Sequence, residues 1–298
     1  MFIFLLMLLF KAPDLDSEII INHNLPLQTK VMHDNTLYTL EDNEFVATEE
    51  EYIKFTEGYI EKETYDSYRY LLEPYSPTYL HEVYEDEALI IFCYVSGVYI
   101  INKQTKEVTE IGCNLYVSHV KVIDGIAIIL GYKPHCRQAM GLYISIEDSN
   151  VINLITFEGN ENPHQYDFAI APNGEIISIS GELLNIYNTN QSIQLPFEPK
   201  YILTSDCDIL VFDESLNIML LDNEFNESIN GQVALPCLNN TIVDMMLYNN
   251  YLYIVYFDNF KTKFPNYLCI YDLKVPELTC AVAIKEDIPP RLIIPNEK

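Results

Sequence analysis

A strand–turn–strand unit recurs along most of this chain, and it limits the possible folds more than any other feature. Gly97–Ile111 reads GVYIINKQTKEVTEI, Gly141–Phe157 reads GLYISIEDSNVINLITF, and Leu183–Phe197 reads LLNIYNTNQSIQLPF. Leu216–Leu235 reads LNIMLLDNEFNESINGQVAL, and Tyr267–Ile284 reads YLCIYDLKVPELTCAVAI. Each copy is an apolar β run, a polar turn and a second β run. A lone hairpin of this kind cannot bury its own apolar face, so repetition implies an array whose neighbours bury one another.

Between the copies lie further hairpin signals. Ala88–Val95 and Val98–Asn102 flank Ser96-Gly97, and Val117–Ile123 and Ile126–Tyr132 flank Asp124-Gly125. Asp-Gly favours the positive φ angles of a two-residue turn. Pro172-Asn173-Gly174 and Asn249-Asn250 mark two more turns. A hairpin pattern in Val31–Val46 extends the repeat towards the N-terminus, where TLEDNEF (Thr39–Phe45) echoes LLDNEF (Leu220–Phe225). The apolar starts Val98, Leu142, Leu183, Leu216 and Leu268 are 44, 41, 33 and 52 residues apart. Such spacings fit four-stranded blades with variable loops. The expected fold is therefore an all-β propeller of six blades, with seven as the alternative. Residues 1–17 form an apolar N-terminal segment and 18–298 a single propeller domain. Glu18–Asn22 or Arg291–Ile294 would supply the strand that closes it.

FAIAPNGEIISIS at Phe168–Ser180 resembles the first hairpin of blades in WD40-like and related β-propellers, and GVYIINKQTKEVTEIG at Gly97–Gly112 resembles the outer hairpin of the same blades. The resemblance runs over roughly Leu37–Ile284. It implies the fold and a tendency towards protein binding, and it assigns no catalytic residue.

Thr48–Pro74 breaks the β pattern. Thr48 and Glu51 fit a capping box, and Tyr52, Phe55 and Tyr59 follow helical spacing. A second helical stretch, Glu61–Leu72, would end at Pro74. The reading is a short acidic helical insertion at 48–74. From Glu41 to Glu87 there are 15 acidic residues against Lys54, Lys62 and Arg69, a net −12 within a chain of net charge −27. Such a field repels nucleic acid and anionic membranes and attracts basic partners. The blander reading of the same run is a solvated face. The stretch is also rich in tyrosine, which serves well as a contact anchor. The candidate partner-binding residues are Glu49, Glu50, Glu51, Tyr65, Tyr68, Tyr70, Glu82, Glu85, Asp86 and Glu87.

No motif for chemistry stands beside this. There is no G-x-S-x-G elbow. Cys136 follows His135, but adjacent residues of an extended loop point apart and make no nucleophile–base pair. The six His show no HxH or HExxH spacing, and the acidic turns lack the calcium-loop pattern. Only ten Gly occur, without a phosphate-cradling run. No cofactor or metal is expected, and the chain is read as non-enzymatic. The concrete version is an inhibitor or immunity-type protein that neutralises a basic toxin or effector. Two alternatives stand: a propeller hydrolase or lyase acting on a sugar or lactone in the central channel, and a periplasmic or membrane-associated assembly scaffold.

Seven Cys without a CxxC suggest free core thiols in a reducing compartment, with a Cys237–Cys280 bridge left open. The N-terminal run MFIFLLMLLFK is too short to span a bilayer, so no transmembrane span is expected. It fits a retained strand or a signal remnant. The cytoplasm is favoured over the periplasm.

Overall fold

A computed structural model describes residues 17–22, 30–33, 35–41, 44–55, 59–133, 138–157, 167–233, 240–248, 250–258, 266–275, 277–284 and 291–292. In chain order, β1 (Ser17–Asn22) precedes β2 (Lys30–His33), β3 (Thr36–Glu41), β4 (Glu44–Lys54) and β5 (Tyr59–Glu61). Helix α1 (Lys62–Arg69) and a 3-10 turn (Tyr70–Tyr75) follow. The next blade is β6 (Leu80–Glu85), β7 (Leu89–Tyr94), β8 (Gly97–Asn102) and β9 (Val108–Gly112). Then come β10 (Tyr116–Ile123), β11 (Ile126–Tyr132), β12 (Ala139–Ser145) and β13 (Asn150–Thr156). A shorter blade holds β14 (Phe168–Ile170), β15 (Ile176–Ser180), β16 (Leu183–Ile186) and β17 (Gln191–Gln194). The fifth holds β18 (Tyr201–Thr204), β19 (Asp208–Phe212), β20 (Asn217–Asp222) and β21 (Glu227–Gln232). The last strands are β22 (Asn240–Tyr248), β23 (Tyr251–Asp258), β24 (Asn266–Asp272), β25 (Glu277–Ile284) and β26 (Arg291–Leu292).

These strands form six antiparallel sheets. Four are simple meanders, β6 to β9, β10 to β13, β14 to β17 and β18 to β21, and two have five strands, β26-β2-β3-β4-β5 and β1-β25-β24-β23-β22. The fold is a six-bladed β-propeller, and the seven-bladed alternative falls away. The repeated hairpins of the sequence are the third and fourth strands of their blades.

Turn chemistry explains much of the polar content between strands. Asn102 Oδ1 accepts the Gln104 and Thr105 N–H groups, and Asp222 Oδ1 accepts those of Glu224 and Asn226. Asp272 Oδ1 accepts the Lys274 N–H. Lys106, Ser149, Asn190 and Phe225, at corresponding places in four such turns, have φ of 63, 55, 57 and 65°. Asx side chains mimic a turn's backbone acceptor. Several acidic residues thus serve local geometry. Asp124-Gly125 forms the expected tight turn, with φ of 50 and 75°.

By contact, the chain forms two compact units, residues 1–52 with 234–298, and residues 53–233. In the second unit each blade packs its apolar faces on the next. Ile91, Cys93 and Val98 meet Ala127, Ile129 and Leu142. Ile128, Leu130 and Tyr143 meet Phe168, Ile170 and Ile176. Ile177, Leu184 and Ile186 meet Ile209, Val211 and Met219. Each such side chain contributes about 1.5–3 kcal/mol on full burial.

In the first unit, Val31, Tyr38 and Phe45 share a core with Val255, Leu268, Ile270 and Val282. Both expected closing strands are present there. β1 pairs with β25, placing Ser17 opposite Ile284 and Asn22 opposite Cys280. β26 pairs with β2, placing Leu292 opposite Val31.

Three blades share a bulge in their first strand. The register shifts between Leu80 and Glu82, between Val117 and His119, and between Ile242 and Asp244. The residue after each extra position is a buried titratable group: Glu82, His119 and Asp244 are 1, 3 and 4% exposed. Glu82 Oε1 accepts the Val83 N–H at 3.0 Å, and Asp244 Oδ1 accepts the Met245 N–H at 3.0 Å. β6 and β22 are edge strands of their sheets, and each carboxylate supplies an acceptor that no partner strand does. The bulge in β10 also accounts for Gly131, where a Cβ would lie 2.5 Å from the Tyr116 carbonyl oxygen.

The helical reading of 48–59 is corrected. Residues 44–54 are one long strand paired with β3 on both sides of a register break: Tyr38 faces Ala47 and Thr36 faces Glu51. Thr48 Oγ1 does accept the Glu50 N–H, at 3.3 Å, but inside a strand rather than at a helix start. The helix begins only at Lys62, behind Glu61, which makes no side-chain cap. Pro74 lies within the 3-10 turn instead of ending a helix, and Ser76, at φ 46°, stops it. Among the described residues Cys93, Cys113, Cys207, Cys269 and Cys280 form no disulfide, while Cys136 and Cys237 lie outside them.

Candidate partner-binding surface

Helix α1 and the 3-10 turn lie over the second blade. Their inward side chains are Tyr65, Tyr68, Leu71 and Leu72, packed with Ile60, Val83, Ile90, Phe92, Tyr94, Tyr99 and Ile101. Leu72 is 1% exposed and acts as the peg. Tyr65 meets Phe92 edge-on at 5.9 Å between ring centroids, and Tyr75 meets Tyr99 edge-on at 5.5 Å. Such pairs add to what area burial alone gives.

Two cations brace this layer. Arg69 lies over the Tyr65 ring at 5.6 Å, and Lys106, from the β8–β9 turn, lies over the Tyr68 ring at 3.8 Å. Lys106 Nζ also donates to Tyr68 Oη at 2.5 Å. Tyr99 Oη donates to Glu110 Oε1 at 3.2 Å. Burial pushes the Tyr94 hydroxyl up to about 12, so it stays protonated at physiological pH.

The sequence-derived candidates divide sharply. Tyr65 and Tyr68 are half-buried and spend their rings on the blade beneath. Glu82 is 1% exposed and holds a bulge, so it is corrected from contact residue to structural residue. Glu85 binds Lys103 at 2.6 Å. Asp86 closes the β6–β7 turn, accepting the Ala88 and Leu89 N–H groups on Oδ1 and the Tyr84 hydroxyl on Oδ2. Burial first, then Asp86, raises the Tyr84 hydroxyl to about 12. Tyr70 and Glu87 are exposed. Glu49, Glu50 and Glu51 are exposed on β4, in the other compact unit.

Tyr75 and Tyr79 were missed as contacts. Tyr79 is 81% exposed, Tyr70 55% and Tyr75 38%. Tyr79 also has φ of 57°, an uncommon state for a bulky residue. Its carbonyl accepts the Val95 N–H at 3.1 Å, which ties that backbone to the blade. The carboxylates of Glu63, Asp66 and Glu73 are exposed on the same segment. Spacing alone could not separate inward from outward tyrosines, because the helix gives way to a 3-10 turn at Tyr70 and the periodicity changes there.

Among the described residues, no group of three or more His, Cys, Asp or Glu is placed to hold a metal ion. No described helix is long and apolar enough to cross a membrane.

No protein-family model matches the chain, and no curated protein matches it. Solved structures with related architecture do exist. The computationally designed Ika8 protein has a TM-score of 0.43 at 11% identity, with 66% of this chain and 61% of that one covered. A quinonprotein alcohol dehydrogenase-like protein from Bacteroides thetaiotaomicron has a TM-score of 0.48 at 12% identity, covering 91% of this chain and 69% of that one. The WD40 propeller domain of Doa1 has a TM-score of 0.45 at 10% identity, covering 94% and 89%.

Proposed function

We propose that this chain is a non-enzymatic binding propeller, and that the tyrosine face of residues 62–79 takes a basic protein partner. One observation carries the reading. Tyr70 and Tyr79 hold exposed rings, and Tyr75 is 38% exposed while meeting Tyr99 edge-on, on a segment whose Tyr65 and Tyr68 pack into the core. Exposed aromatic rings on a fixed segment lose little conformational entropy on binding and make good anchors.

The sign of the partner follows from charge. The segment from Ile53 to Glu87 carries nine acidic residues against Lys54, Lys62 and Arg69, and the whole chain carries −27. A field of that sign speeds encounter with a cationic protein, while the tyrosines determine how long it stays. An inhibitor that neutralises a cationic toxin, such as a nuclease, is the sharpest form of this reading.

The test is capture from native lysate on immobilised protein, washed at low and then moderate salt, with the eluate identified by mass spectrometry. A basic protein that survives moderate salt is the expected result. Retention that vanishes entirely with salt would reduce the surface to an ion exchanger and contradict the reading.

A further inference from the structure

The outer edge of the third blade has properties that the acidic and aromatic segment lacks. β13 reads NVINLIT and pairs on one side with β12, with a bulge at Ile152. No described strand pairs with its other side. Val151, Ile152 and Leu154 are 45, 52 and 51% exposed. The strand has no ionisable residue, no Pro and no Gly. A free edge of that composition is one that pairs with other chains unless something covers it.

The fold shows how it treats its other outer strands. In the same unit, β9 carries Glu110, β21 carries Glu227, and β17 is the four-residue polar run QSIQ. Charge, polarity and shortness all blunt an edge. In the other unit, the apolar β25 (ELTCAVAI) is instead covered by a fifth, antiparallel strand, β1. β13 resembles β25 in composition, yet the described chain places no fifth strand on it.

We propose that β13 is a strand-addition site for an extended partner segment that is apolar in its middle and ends in lysine or arginine. Backbone hydrogen bonds would supply the pairing, the partner taking over the Leu154 N–H that Asn153 Oδ1 now accepts at 2.9 Å, and Val151, Ile152 and Leu154 would supply the side-chain contacts. Charge selects this occupant. Glu147 and Asp148 are exposed in the turn that leads into β13. An antiparallel occupant places its C-terminal end beside Asn150, within reach of those carboxylates. A second copy of this chain would bring another −27 to the contact.

The probe is a fluorescein-labelled peptide, TVIVTKK, followed by anisotropy, with a version N-methylated through its apolar stretch as the backbone control. Wild type should bind the plain peptide at least tenfold more tightly than the Ile152→Lys/Leu154→Lys variant does, and should bind the methylated peptide at least tenfold more weakly. Ile152→Thr/Leu154→Thr, which leaves the charge unchanged, should lose several-fold and stands in if the lysine pair does not fold. Three results overturn the proposal: no binding, equal binding of plain and methylated peptides, or a wild-type dimer in light scattering that the lysine pair converts to monomer. The last would assign the edge to a second copy.

Discussion

The first strand of a blade is an edge strand, so its outward backbone N–H groups lack a ladder acceptor, and Asp244 shows what the chain does about one of them. Its Oδ1 accepts the Met245 N–H at 3.0 Å and its Oδ2 the Leu292 N–H at 2.8 Å, so one buried carboxylate serves both the bulge and the C-terminal strand. Asp244→Ala leaves two buried donors without this acceptor and should cost about 2–5 kcal/mol in chemical or thermal unfolding. Asp244→Asn keeps one oxygen and should fall between. A loss under about 0.5 kcal/mol, the size of an ordinary surface change, would contradict this account. Glu82 plays a similar part in the second blade, which is why its place in the acidic run misled the sequence reading: nothing local announces a bulge, and a bulge changes which face a residue takes. Glu175 offers a pH test. One of its carboxyl oxygens is buried without a hydrogen-bond partner, and burial raises its pKa from its ordinary value. A raised folded-state value means stability that is complete below the unfolded value, about pH 4, and is lost as pH rises through the folded one. Glu175→Gln should therefore match wild type at low pH and become the more stable protein towards neutrality, as followed by thermal melts across pH. A difference that does not change with pH would contradict the assignment.

At the scale of elements, the instructive case is the stretch from Glu44 to Tyr75. The capping-box pattern Thr48 to Glu51 was legible and wrong, because propensity and capping are weak beside a strand partner already in place. β3 pairs with β4 on both sides of a register break, Tyr38 with Ala47 and Thr36 with Glu51, and Tyr52 N–H donates to Asn35 O at 3.2 Å, so the chain stays extended through 48–50. The hairpins were legible and right because their turns have demanding backbone geometry: Asp124-Gly125 and Pro172-Asn173-Gly174 fit few alternatives. α1 and the 3-10 turn form the layer that carries the exposed tyrosines, and Leu72 holds it down. Leu72→Ala should destabilise the protein by about 2–5 kcal/mol, as for other buried leucines. Tyr70→Ala and Tyr79→Ala should stay within about 0.5 kcal/mol of wild type, since their rings support no core. If the tyrosine changes cost as much as the leucine change, those rings are structural and the binding surface lies elsewhere.

For the whole molecule, the repeat alone gave an array, the spacing gave four-stranded blades, and six sheets are what the fold contains. Closure was legible as a choice between the two ends, and the first unit uses both, with β1 on β25 and β26 on β2. Removing residues 285–298 deletes β26 and takes the Leu292 N–H from Asp244 Oδ2, so the truncated chain should melt well below wild type. An unchanged melting temperature would show that β26 contributes nothing. Function was less legible than fold, because charge is a property of the whole chain while contact is made by particular side chains. Of the acidic candidates in the second blade, Glu82, Glu85 and Asp86 are engaged within the protein, and the exposed tyrosines are what the structure adds. The direct test keeps the charge constant and removes the rings: lysate capture at moderate salt with wild type and with Tyr70→Ala/Tyr75→Ala/Tyr79→Ala side by side. The account predicts a basic protein held by wild type and lost from the triple variant. Equal retention by both would contradict it.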